Sequence, residues 1–156
     1  MGSHYVLLGS ILKTDHPNIC HKQVTRDTLK SLDLLIGKDS QTYSKTTDED
    51  AIMNYEFQLI QDCFKAKTMY VEKQTTKSAY LRAIQKGALN TSSKFFTIIY
   101  SGSTHWQTGD WAVLADDGVS TDSISLLDIY NAVKAVNYKG QFQAVLDAPF
   151  SGKWLQ

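Results

Sequence analysis

Six consecutive residues, Phe95-Phe96-Thr97-Ile98-Ile99-Tyr100, are apolar, aromatic or β-branched. A strand solvated on one face alternates apolar with polar side chains, so an unbroken run predicts a central strand covered on both faces. Tyr5 to Leu8, Thr68 to Val71 and Phe142 to Leu146 read as further short strands. Between them lie stretches whose apolar residues recur at three and four positions. This alternation predicts an α/β fold, a three-layer sandwich with a mostly parallel central sheet and helices on both faces. At 156 residues the chain suits a single domain, spanning 1–156, with a real core.

The helical stretches carry their own start signals. Thr25 can cap a helix that aligns Leu29, Leu32 and Ile36 before Gly37, and Asp48 can cap one that aligns Met53, Phe57, Ile60 and Phe64. A third begins at Thr75 or Thr76 and carries Tyr80, Leu81, Ile84 and Ala88. Ser125 with Asp128 forms a capping-box pattern ahead of Leu126, Ile129, Tyr130 and Val133. Trp111 to Leu114 runs into the turn signal Asp116-Asp117-Gly118, which predicts a small hairpin projecting from the main sheet. Ser10 to Gln23, with one proline, two histidines and a cysteine, reads as loop.

Charge excludes some partners. Sixteen basic side chains balance sixteen acidic ones, and the lysines are dispersed, so no field draws in nucleic acid or an anionic bilayer. The apolar runs are too short to cross a hydrocarbon core of about 30 Å. Cys20 and Cys63 are too few for a disulfide framework, and Met1 to His4 lacks the basic and apolar stretches of a signal peptide. The expectation is a soluble, cytoplasmic protein. His16, Cys20 and His21 match no zinc spacing, Asp48-Glu49-Asp50 suits a helix N-terminus, and Asp116 with Asp117 are too few carboxylates for calcium. No metal or cofactor is expected, and Cys63 beside Phe64 reads as a small core residue.

In open parallel sheets, sites form at the carboxyl ends of strands. Two such ends stand out: Ile99-Tyr100-Ser101-Gly102 leading into Ser103-Thr104-His105, and Leu146 leading into Asp147-Ala148-Pro149-Phe150-Ser151-Gly152. The sequence here resembles the caspase-like cysteine peptidases, including metacaspases and related invertebrate and protist proteins. That family's central strand closes with Tyr-Ser-Gly-His-Gly and its next core strand with Asp-x-Cys-x-Ser-Gly. Gly109-Asp110-Trp111, Ile124 to Ile129 and Lys153-Trp154 also look like caspase-domain proteins. The likeness covers about Tyr5 to Trp154 and is specific only in its last sixty or so residues.

The resemblance implies a histidine–cysteine dyad, in which the thiolate attacks a peptide carbonyl and the histidine protonates the leaving amine. Here Ser103 stands at the histidine position and Pro149 at the nucleophile position, and proline offers neither a nucleophile nor a backbone N–H. The likeness therefore implies a pseudo-peptidase that acts by binding a protein or peptide, a caspase-like protein among the possibilities. Asp147 and Trp106 are candidates to hold a peptide; Asp147 serves equally as a turn cap, and Trp111 is read as packing. One alternative is a working hydrolase in which His105, two residues late, pairs with Ser151 or activates water. Another is an inactivated fragment of a longer endopeptidase.

The resemblance also bears on assembly. In the family, small-subunit strands extend the sheet beyond the cysteine strand, whereas ten residues follow Leu146 here. Phe142 to Leu146 is thus expected at a sheet edge, where a second copy or a separate partner would cover it as a homodimer or heteromer. Phe150 to Gln156 could fold back, but is too short to shield a sheet face.

Overall fold

A computed structural model describes residues 4–12, 17–20, 57–58, 60–62, 68–90, 95–148 and 151–155. The chain divides into two compact units, one formed by Met1–Lys22 with Phe64–Gln156 and the other by Gln23–Cys63. In the second unit the described residues are helical, and Gln58 Nε2 donates to Asp62 Oδ1 at 2.9 Å, one turn along. They fall in the helix expected after Asp48. The helix expected from Thr25 lies outside the described residues.

The larger unit is built on a parallel sheet. Its strands are β1 (His4–Ser10), β3 (Thr68–Lys73), β4 (Phe95–Gly102) and β8 (Gln141–Asp147), in the order β3-β1-β4-β8. All three pairings are parallel, so the carboxyl ends of these strands lie along one side of the sheet. The α/β class and the parallel sheet agree with the sequence reading. The strand from Phe95 is indeed central, but its two faces differ: Phe96, Ile98 and Tyr100 are buried, whereas Thr97 and Ile99 are only partly so.

Two helices join the strands. In α1 (Lys77–Asn90), Tyr80, Ile84 and Ala88 repeat at one-turn intervals and are buried with Ala83. Gly87 belongs to the same face, where an added Cβ would lie 2.5 Å from Val6 Cγ2. In α2 (Leu126–Ala135) Ile129, Ala132 and Val133 are buried, and the capping box is formed as the sequence indicated. Ser125 Oγ accepts from Asp128 N at 3.1 Å, and Asp128 Oδ2 accepts from Ser125 N at 2.9 Å. Tyr130, read from the sequence as one of the apolar residues this helix presents, is 55% exposed. Both helices contribute to one core with Val6, Leu8, Phe96 and Ile98.

The expected hairpin belongs to a second sheet rather than projecting from the first. Four short strands pair antiparallel in the order β2 (Ile19–Cys20), β5 (Thr104–His105), β6 (Trp111–Leu114) and β7 (Thr121–Ile124). The segment read as loop after Ser10 therefore contains a strand, too short to show a period of its own. Asp117 shapes the turn between β6 and β7 by accepting from Val119 N and Ser120 N, both at 2.8 Å. No described helix is long and apolar enough to cross a membrane.

Candidate functional site

The two sheets meet at the carboxyl ends of β1 and β4. In the parallel register Ser10 stands beside Gly102, and Ser101 stands beside Asp147. The two strand ends singled out in the sequence are therefore neighbours. Beyond Gly102 the chain passes through Ser103 and enters the second sheet at Thr104.

This passage is tightly built. Ser103 N donates to Ser10 O at 2.8 Å, and Ala112 N donates to Ser103 O at 2.9 Å. The Tyr100 hydroxyl donates to the same Ser103 carbonyl, and Ser10 Oγ donates to Ala112 O at 2.9 Å. Ser103 Oγ accepts from Leu12 N at 3.4 Å. Ser10, Ser101, Ser103 and Thr104 are all buried, so the junction is a polar seam inside the protein, where each bond counts more than it would in water. Gly102 allows the crossing: a Cβ there would lie 2.1 Å from Ser10 O.

Aromatic residues flank the seam. Tyr100 is fully buried and stacks on Trp111, which in turn stacks on Trp154 at a centroid separation of 5.4 Å. Trp111 is thus a packing residue, as read from the sequence, and its Nε1 is buried without a hydrogen-bond partner among the described residues. Trp154 lies in a short 3-10 helix (Ser151–Leu155) and donates through Nε1 to Asp110 Oδ1 at 3.1 Å. The C-terminal residues thus fold back onto the core, although Leu155 remains 91% exposed.

Burial pushes the Tyr100 phenol well above its ordinary value, with the nearby Tyr80 adding to the shift. Burial also raises Tyr80, which donates to Gly9 O at 2.6 Å and accepts from Thr75 N at 3.2 Å. Both phenols are protonated donors at neutral pH.

The residues marked as candidates occupy different settings. Ser103, which the resemblance would set at a histidine position, is 0% exposed. His105 is not on an exposed loop: it is the partly buried last residue of β5, and its N donates to Asp110 O at 2.9 Å. Its Nε2 lies 3.5 Å from Asp122 O, so the ring reaches toward β7. Trp106, in the turn after β5, is 44% exposed and donates through Nε1 to Asn18 Oδ1 at 3.2 Å. Asp147 ends β8, and Ser151 opens the 3-10 helix. Pro149 lies outside the described residues, as do His16, His21 and Cys63; Cys20 pairs with Thr104 through the backbone.

Asp116 accepts from Ser78 N at 3.0 Å and also from Ser78 Oγ. It therefore tethers the start of α1 to the hairpin. Lys77 sits 3.3 Å from Asp128 and 3.8 Å from Asp122, which links α1 to both α2 and β7. Among the described residues, no three His, Cys, Asp or Glu side chains converge in a way that could hold a metal ion.

Sequence reasoning missed Ser10 and Gln74. Gln74 takes up φ of 52° after β3; its Oε1 accepts from Ile11 N at 2.6 Å while its Nε2 donates to Ile11 O at 3.0 Å. A side-chain amide thereby continues the backbone pairing where β1 and β3 end. Neither residue lies in a motif or on a periodic face. Comparisons with family models, curated proteins and solved structures found no match to this chain.

Proposed function

We propose that this chain is a caspase-like domain without a working dyad, which acts by binding a protein or peptide and regulates or assembles with caspase-like proteins. The observation that carries the reading is the state of Ser103. It occupies the motif position of the catalytic histidine, yet it is fully buried and engaged through N, Oγ and O. A general base must reach a substrate proton, and a side chain sealed between two sheets does not. The motif-bearing ends of β4 and β8 are adjacent, which supports the caspase-like sandwich. Trp106, half-exposed in the turn after β5, is the aromatic candidate for peptide contact. A cytoplasmic setting accords with the low cysteine count.

The test is incubation of pure protein with peptide libraries carrying acidic or basic residues at the cleavage site. No turnover is expected. Cleavage that disappears in His105→Ala would overturn the binding-module reading in favour of a hydrolase using a displaced histidine.

A further inference from the structure

We propose that β8 is a self-association edge, at which a second copy of this chain pairs antiparallel across a two-fold axis at Ala144. The inference does not depend on the caspase-like reading. It begins with the strand order, which leaves β3 and β8 as the two edges of the described parallel sheet. Natural edges are usually blunted by charge, proline or bulges. β3 carries Glu72 and Lys73 in its last two positions, whereas β8 runs uncharged and without proline or glycine from Gln141 to Leu146.

The surroundings of β8 are partly apolar. A groove of about 660 Å³ lies between α2 and the start of β8, where Leu127, Tyr130 and Phe142 share the walls with Asn131, Lys134 and Gln141. A second, of about 420 Å³, lies along the strand, with Tyr130, Phe142, Ala144, Leu146 and Trp154 in its walls. Leu127, Tyr130, Val145 and Leu155, four of the large exposed apolar residues, lie on or beside this edge. Tyr130 meets Phe142 edge-on at 5.2 Å, so the face is already ordered.

A second copy fits because the strand complements itself. A two-fold axis requires two identical strands to run antiparallel and to present the same patch. Centred on Ala144, the register sets Phe142 opposite the other copy's Leu146, and Gln143 opposite its Val145. Opposed residues share a face, so the Phe142, Ala144 and Leu146 rows join and the two grooves become continuous across the axis. Charge agrees with this direction. Lys139 precedes the strand and Asp147 ends it, so antiparallel pairing brings the basic end of each copy to the acidic end of the other.

Sedimentation of the whole chain over a wide concentration range tests the pairing. A monomer–dimer equilibrium is expected, and Val145→Lys should raise its dissociation constant by at least about tenfold with the circular dichroism unchanged. Ala144→Cys treated with a short bis-maleimide should give a covalent dimer whose link maps by mass spectrometry to position 144 in both copies. A monomer at every concentration overturns the proposal, and protection of Phe142–Leu146 from hydrogen exchange in that monomer would assign the edge to cover from the chain itself. A dimer indifferent to Val145→Lys, or one cross-linked elsewhere, overturns it as well.

Discussion

The indole of Trp111 lies flat on the phenol of Tyr100, with centroids 4.3 Å apart and planes 6° from parallel. Trp111 comes from the antiparallel sheet and Tyr100 from the parallel one, so this contact joins the two sheets. Trp154 closes the stack from the other side.

Trp154→Ala should destabilise the protein by about 2–3 kcal/mol, from a lost stacking partner and a lost hydrogen bond to Asp110. Trp111→Ala should cost about 3–5 kcal/mol as a large core truncation. Trp111→Phe should cost clearly less, because the shorter ring also removes a buried N–H that has no acceptor among the described residues. Denaturant unfolding of the three variants gives the order.

Gly102→Ala should prevent folding or destabilise by about 3 kcal/mol or more, since the new methyl would overlap the Ser10 carbonyl. Gly118→Ala is the comparison. Its φ is +76° but nothing lies within 4 Å of the added carbon, so only backbone strain of about 1 kcal/mol is expected. Equal effects in thermal melts would show that the Ser10–Gly102 crossing is looser than described.

Ser103→His combined with Pro149→Cys should not yield strong proteolysis. An imidazole has to replace a hydroxymethyl at a fully buried position, with an overpacking cost of about 1–3 kcal/mol. A displacement of about 1 Å at the reacting groups can cost roughly a hundredfold in rate. Robust peptide cleavage by the double variant would show that the scaffold can organise the two side chains for catalysis.

Stability should fall in acid through the α1–hairpin–α2 contacts. Burial raises the Asp128 carboxyl, but the Ser125 N–H and the Lys77 ammonium outweigh it and hold the group below its ordinary value of 3.8. Hydrogen bonds from Ser78 lower Asp116 in the same direction. A carboxylate lowered in the folded state binds protons more readily when unfolded. Its contribution is thus complete above the unfolded value and disappears as pH falls through the folded one. Melting temperature should drop between about pH 5 and pH 2, with a shallower slope in Asp128→Asn. An unchanged slope in that variant would remove Asp128 from the account.

Much of the larger unit was legible because its signals are local. The run from Phe95, the Ser125–Asp128 capping box and the Asp-Asp-Gly turn each fix an element within a few residues, whereas the edge position of β8 was expected only from the resemblance to caspase-like proteins, and the strand order of the described sheet agrees with it. The second sheet was hidden because β2 and β5 contain two residues each, fewer than any periodicity needs. Its pairing depends on contacts across about 85 positions, as between Ile19 and His105. The exposure of Tyr130 was hidden for a related reason: helical spacing marks a broad apolar stripe, and the partner element decides which flank of it is covered. For the candidate site, the sequence located the two strand ends but not the burial of Ser103, which depends on Ser10 and Ala112 arriving from distant segments.

The crossing of Gly102 over Ser10 also limits what a motif can report. Two backbones at that separation exclude a Cβ whatever reaction takes place nearby, and the Tyr100 hydroxyl is occupied in holding the next carbonyl. Tyr-Ser-Gly at this strand end is therefore a signature of how two sheets are joined. A chain could keep those three letters for the sake of the joint alone, whatever it binds.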